Sequence, residues 1–525
     1  MLARASELPL PASIANSAAD PLTPRDRTWH LPALLLGAST YLALNLFRFF
    51  CAPFLLSGDQ VFFWMFAQRM LAGEKIYRDF FQYTPPGTDV VYLAAFKLFG
   101  PYIWVTNAIV FALGLALCWI CFSVATEIMD RSSAALAAAM FLILIFVKLL
   151  SGTHYMFSAI AIMSAVKVMM RPTTPTRSLI AGMLLGLASF FTQTHGAVVL
   201  LGMLVAFAWK AIGARNPASR RALSSALLLL GYSAALLLLS AHWIASEGIS
   251  RLWHFQVTYL HEYLNLGDGA GLLGLPPLTG RHAALKLSQY VAVYLMLATV
   301  YPLALWRCWR ERNNPSLSIR PAALLSVIGT LLLLAIASNP NWLRVYAVSM
   351  PAVILFVWLL SDGRHKRRAA FAIVWAAIGC LAISQTRGRY RGQNTIVRLP
   401  AGSTAVQPIA AQKLVWMMHH STPGDYFFQA AWPGFYLPLQ LRNPAYVESL
   451  EPSDRLTPTD VSALINCLDQ KQVTYVHWNP RLDSHNEPAN GSQENIEPLR
   501  KYLHSRYTVV KVFADGDSIL KRNPA

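Results

Sequence analysis

Long apolar runs without charge recur from Leu31 to residue 385, and they constrain the fold more than any other feature of the chain. A run of about 20 apolar residues can cross a bilayer as a helix, the conformation that pairs every backbone N–H and C=O within the segment. The pattern predicts about eleven helices, over 31–56, 102–126, 133–150, 154–170, 178–193, 195–212, 222–244, 285–306, 321–338, 343–360 and 369–385. Only 13% of the 525 residues are charged, against about 25% in soluble globular chains. A soluble enzyme, a disordered scaffold and a secreted disulfide module are thereby excluded.

The net charge of +18 does not point to nucleic acid, because of where the basic residues fall. Lys167, Arg171 and Arg177, then Lys210, Arg215, Arg220 and Arg221, then Arg307, Arg310, Arg312 and Arg320, then Arg364, Lys366, Arg367 and Arg368 occupy every second loop. The positive-inside rule assigns those loops to the cytoplasm. Residues 1–30 contain no apolar core followed by a small-residue cleavage site, so they read as a cytoplasmic segment rather than a signal peptide. The opposite face receives 57–101, 150–154, 192–196, 245–284 and 338–343, together with everything after residue 386. A bacterial cytoplasmic membrane is the expected location.

The six cysteines lie mostly in or beside apolar runs and form no disulfide framework. Cys118 and Cys121 have redox spacing, yet they read as two small apolar residues on one helix. Residues 386–525 are polar, with strand-like segments at 426–429, 473–477 and 507–513 and amphipathic helices at 460–470 and 496–502. This tail is expected to be an extracytoplasmic α/β domain following a transmembrane domain over 31–385.

The first outer loop, 57–101, carries the densest chemistry. Ser57-Gly58-Asp59-Gln60 opens an aromatic helix suited to the membrane interface, and Pro85-Pro86 stiffens the return to a second surface helix. Asp59 sits at the start of the first helix, and Asp79 lies between the two. An ordinary N-cap accounts equally for Asp59, and a surface ion pair with Arg78 for Asp79.

The order of one span, Gly58-Asp59-Gln60, two interfacial helices and Arg78-Asp79-Phe80 through Gln82-Tyr83-Thr84-Pro85-Pro86-Gly87 resembles the GT-C superfamily of membrane glycosyltransferases. The likeness is to its protein-mannosyltransferase and aminoarabinose-transferase branch, and to uncharacterised bacterial members. In that branch the loop begins Asp-Glu, and here Gln60 replaces the second acid. The resemblance implies an all-α polytopic fold of GT-C type. It implies an inverting enzyme that moves a sugar from a polyprenyl-phosphate donor to a hydroxyl of a glycan, lipid or protein on the outer face. Gln82 and Tyr83 fall within the motif and are carried over as substrate contacts.

That chemistry needs a base for the acceptor proton, which Asp59 supplies, with Asp79 as a second acidic contact. It also needs cations for the leaving phosphate, and Arg78, His154, His195 and Arg344 are the candidates. Arg344 follows the Ser338–Trp342 segment at the outer end of a span, where a lone arginine is disfavoured unless it meets phosphate or snorkels to headgroups. His154 and His195 occupy tight outer turns, where a hydrogen-bonded turn residue is the plainer reading. No metal-binding motif is present, so no divalent metal is expected to be obligatory. An apolar groove among the spans is expected to hold the prenyl tail, and the Gly267–Gly274 region to form a lid. A transporter or flippase for lipid-linked glycans would need charged or broken helices near the midplane, and a noncatalytic assembly protein would tolerate loss of Asp59.

Overall fold

The computed structural model describes residues 29–49, 52–212, 218–259, 283–312, 319–337, 341–361, 364–450, 456–483 and 496–524. The His261–Tyr263 and Gly267–Gly274 segments, residues 338–340 and the Asn490 sequon lie outside them. Among the described residues, five helices are long and apolar enough to cross a membrane: Ile103–Ala125, Arg131–Leu149, Ala222–Glu247, Tyr290–Arg310 and Ala369–Gly392. Six shorter apolar helices accompany them, His30–Leu46, His154–Met170, Pro175–Phe191, Gln193–Phe207, Ile319–Ala335 and Met350–Leu360. Cys118 and Cys121 are both buried free thiols on the first of the long helices.

Three boundaries differ from the sequence expectation. The first span ends at Leu46 rather than 56, because Phe47–Arg48 (β1) pairs antiparallel with Ala52–Pro53 (β2). Buried Asn107 holds that turn, its Nδ2 donating to Leu46 O at 2.7 Å and Phe54 O at 2.9 Å. The segment expected at 343–360 is two helices, Trp342–Ala347 and Met350–Leu360, with Pro351 opening the second. Proline suits a first helical turn, where its missing N–H costs nothing.

The last span runs to Gly392, past the expected limit of 385. Its polar extension finds partners on the first helix: Tyr41 hydroxyl donates to Gln385, Asn45 Nδ2 to Thr386 Oγ1 at 3.0 Å, and Tyr390 hydroxyl to Phe47 O at 3.3 Å. The C-terminal β-rich domain therefore starts at Thr395 rather than 386.

That domain opens with a hairpin, Thr395–Leu399 (β3) and Gly402–Val406 (β4). Its main sheet has the order β5-β6-β8-β7, from Phe427–Gln429, Tyr475–Trp478, Ser518–Arg522 and Tyr507–Val512. β5 and β6 are parallel and the other pairs antiparallel. One apolar core runs from the membrane helices through the first loop to Phe427, Tyr436 and Ile519 of this domain, and a second fills the other side of the sheet around Phe428, Val476 and Leu520.

Candidate active site

The first loop folds as two surface helices, Gln60–Leu71 and Gly87–Phe99. Gly58, at φ +86°, makes the turn that delivers Asp59 to the start of the first; the left-handed region favours glycine there. Asp59 precedes the first helical residue, yet its carboxylate accepts no capping hydrogen bond from the helix. Burial raises its pKa above the ordinary carboxylate value, and the Arg344 guanidinium opposes that shift. The same guanidinium acts electrostatically on His154 and His195. Asp59, His154 and His195, from three separated segments, thus all lie within electrostatic reach of Arg344 on a fourth.

Aromatic rings surround the two histidines. The His154 ring lies 3.9 Å from that of Tyr155 and 5.7 Å from that of Phe63, and Tyr155 is 5.4 Å from His195. Both histidines are buried, and His154 Nδ1 has no hydrogen-bond partner, so the plain hydrogen-bonded turn does not account for it. Arg344 sits on the short helix Trp342–Ala347, where the Asn341 side chain caps the Arg344 N–H at 3.1 Å. A small apolar crevice, with room for about one water-sized sphere, adjoins His195 and is lined by Tyr155, Ile162, Met163, Leu332 and Met350.

Gln60 holds the turn beside Asp59 through its side-chain amide. Its Nε2 donates to Ser57 O at 2.8 Å and Leu150 O at 3.0 Å, while its Oε1 accepts from Gly152 N at 3.0 Å. A carboxylate has no proton for those two carbonyls. The turn it grips is tight: Leu150 has φ +40°, and a Cβ on Gly152 would meet the Tyr92 hydroxyl at 2.2 Å. Asp59 and His154 are thereby fixed relative to each other.

Arg78 and Asp79 belong to a different charge cluster. Arg78 Nε and Nη2 donate to the two Asp79 carboxylate oxygens at 3.0 Å each, and Lys75 N–H donates to Asp79 Oδ2 at 2.7 Å. These bonds, led by the one from Arg78, hold Asp79 below the usual carboxylate range. The remaining charge acting on Arg78 is Glu247. Gln82 is buried, bonding Asp89 Oδ2 at 3.1 Å and Thr84 N–H at 3.1 Å. Tyr83 packs on Phe81 and Tyr259, at 6.1 and 6.0 Å between ring centroids.

Two residues that position the loop escaped sequence reading. Asp89 is fully buried, its Oδ1 unpartnered, and burial carries its pKa well above the carboxylate range despite the Gln82 bond. Arg69 is buried among Glu74 (2.6 Å), Ala445 O (2.7 Å) and Asp79 O (3.0 Å), over the Phe80 ring. The Arg69–Ala445 bond joins the loop to the C-terminal domain, as do Phe81 N–H to Tyr446 O at 2.9 Å and Leu55 N–H to Ala405 O at 2.9 Å. Among the described residues, no group of three His, Cys, Asp or Glu side chains is arranged to hold a metal.

The whole-chain architecture matches solved membrane enzymes. ArnT from Cupriavidus metallidurans bound to undecaprenyl phosphate superposes with a TM-score of 0.59 at 12% identity, covering 95% of this chain and 100% of that one. The apo form of the same ArnT gives 0.54 at 13% identity, over 94% and 99%. The oligosaccharyltransferase of Archaeoglobus fulgidus, in its apo form, gives 0.52 at 14% identity, over 95% and 75%. The chain has the GT-C fold. No protein-family model matches the sequence, and no curated protein does. The GT-C likeness is thus one of three-dimensional structure, with two surface helices following the first span.

Proposed function

We propose that the chain is an inverting glycosyltransferase that takes a sugar from a polyprenyl-phosphate donor and delivers it to a hydroxyl acceptor on the extracytoplasmic face of a bacterial membrane. The observation that supports this reading is an uncapped carboxylate, Asp59, at the start of the first-loop helix with Arg344 acting on it electrostatically and its pKa raised by burial. A group with a perturbed pKa beside a specific charge partner is a functional-site signature.

In the proposed step the Asp59 carboxylate takes the acceptor hydroxyl proton as the oxygen attacks the anomeric carbon. The bond from that carbon to the phosphate oxygen breaks, its electron pair leaves with the lipid phosphate, and the sugar inverts. Arg344 faces the charge that grows on the phosphate, so it stabilises the transition state more than the ground state. His154 and His195 line the phosphate side, and the prenyl chain lies along the apolar helices within the bilayer. The ArnT of the same fold was solved with undecaprenyl phosphate, which supports a carrier of that class. Because Arg344 neutralises the leaving group, turnover is expected to survive chelation by EDTA. Gln82 and Tyr83 hold the loop under the acid, and the Arg78–Asp79 pair closes its exposed turn.

The test is sugar transfer by purified protein in lipid, with a panel of polyprenyl-phosphate sugars and with wild type beside Asp59→Asn. Carrier-dependent transfer lost in the variant supports the assignment. Specific donor binding without turnover in wild type overturns it in favour of a transporter of lipid-linked glycans. Transfer retained in the variant removes Asp59 as the base.

A further inference from the structure

The first turn of the Gln60–Leu71 helix presents a second feature beside Asp59. Phe62 N–H donates to Asp59 O at 3.2 Å, so Phe62 stands one turn on from the acid. Residues three apart share a helix face. Against the Phe62 ring lies the indole of Trp432, from the C-terminal domain, at 4.9 Å between centroids and 78° between planes. Trp432 is 38% exposed although it is one of the largest apolar side chains in that domain.

The turn that carries this indole is pinned on both sides. Gly434 N–H closes it on Trp432 O at 2.8 Å. Buried Gln429 accepts from Phe435 N–H at 3.0 Å through its side chain and donates its own N–H to the Tyr436 hydroxyl at 3.0 Å. Ala430 N–H bonds His477 O at 3.0 Å. A loose surface tryptophan needs none of this. A rigid exposed one, braced edge-to-face by a second aromatic, is a preorganised platform, and rigidity lowers the ordering cost of binding.

We infer that Trp432 and Phe62 form an acceptor subsite for a saccharide ring. The inference rests on the glycosyltransferase reading. That reading assigns the Arg344 side of Asp59 to the donor phosphate, so the acceptor must approach from the other side. One helical turn is about 5.4 Å, close to the length of one pyranose unit. An acceptor chain with one ring stacked on Trp432 extends past Phe62 toward the Asp59 end of the helix, one turn away. The axial C–H bonds of a pyranose carry partial positive charge and meet the negative face of the indole, the quadrupole attraction that also orders aromatic pairs. The enzyme would accordingly extend an existing glycan or glycolipid headgroup.

The experiment uses the full chain in lipid nanodiscs, labelled with 5-fluorotryptophan, the Trp432 fluorine signal being identified by its loss in Trp432→Phe. Maltotriose, mannotriose and chitotriose are titrated in turn. The expected result is a shift of the Trp432 signal by at least one of them. That sugar's dissociation constant, measured by isothermal titration calorimetry, should rise about tenfold in Trp432→Ala and about threefold in Trp432→Phe, which keeps a ring in place. In transfer assays with that sugar as acceptor, KM should rise several-fold more than kcat falls. Equal binding by wild type and Trp432→Ala, no shift with any of the sugars, or broadening of the Trp432 signal by a spin-labelled lipid at interface depth would each overturn the inference, the last by making Trp432 a membrane anchor. The glycosyltransferase reading is judged separately by Asp59→Asn, since sugar titration reads the platform whether or not the chain turns over.

Discussion

Asp59 and Asp517 are both carboxylates withdrawn from water and facing cations, yet their pKa values move in opposite directions. In the C-terminal domain, Asp517 lies 3.0 Å from His477 Nε2, accepts from Asn479 Nδ2 at 2.7 Å and is bridged by Lys413. Burial alone would raise its pKa, but the His477 and Lys413 contacts outweigh burial and bring it down to about 2. At Asp59 burial wins over Arg344, and the pKa rises. A carboxylate surrounded by donors is locked in its charged form and acts as a clamp. One whose burial outweighs its counter-charge and backbone bond keeps a raised pKa, and the contrast separates the two acids by the balance of partners against burial.

The largest expected effect that tests this contrast is Asp59→Asn, which should lower sugar transfer at least about 100-fold, the low end for loss of a general base, while the melting temperature stays within a degree or two. A large drop in melting temperature would make Asp59 a second clamp. Asp517→Asn should do the reverse, costing about 3 kcal/mol, because Lys413 keeps only the exposed Asp515 and His477 loses its carboxylate. Hydrogen exchange of strands Tyr475–Trp478 and Ser518–Arg522 in the full chain reads that loss. Because the folded pKa of Asp517 is depressed, its stabilisation is complete above the unfolded value of about 3.9 and is lost as pH falls toward about 2. Protection of the same strands should fall in that window.

Arg344→Gln should weaken donor turnover more than tenfold and move the acidic limb of the pH–rate profile to higher pH. Arg344 lowers the Asp59 pKa, so its removal lets that pKa climb, and the base ionises later. A limb that stays in place would uncouple the two residues. Gln60→Glu should cost about 1 kcal/mol, since the Ser57 and Leu150 carbonyls lose their donor, and thermal unfolding measures it. Asp79→Asn should change the transfer rate least, by less than about threefold, because an exposed ion pair contributes little.

Much of this was legible in the chain, and the reason is local. Apolar runs, alternate basic loops and Gly58-Asp59 before an aromatic helix are short-range patterns, and the two surface helices formed where Pro85-Pro86 separated them. Arg344 drew notice because a lone arginine at an outer helix end demands an explanation. What stayed hidden depends on contacts between distant segments. Asp89 is one more acid until Gln82 and the burial of the Gly87–Phe99 helix are seen. Trp432 is one of 15 tryptophans until it meets Phe62. The hairpin Phe47–Pro53 read as continuous helix because its residues are as apolar as the span before them.

The bond from Leu55 N–H to Ala405 O, with Thr404 Oγ1 donating to Pro53 O at 2.9 Å, ties the approach to Asp59 to a hairpin made long afterwards. A chain leaves the ribosome from its N-terminus, so the acid reaches the membrane while the strand that braces it is still untranslated. Every growing polypeptide passes through a stage with its acid in place and its floor missing. On the proposed function, any activity that depends on Asp59 waits for translation of the hairpin at 395–406.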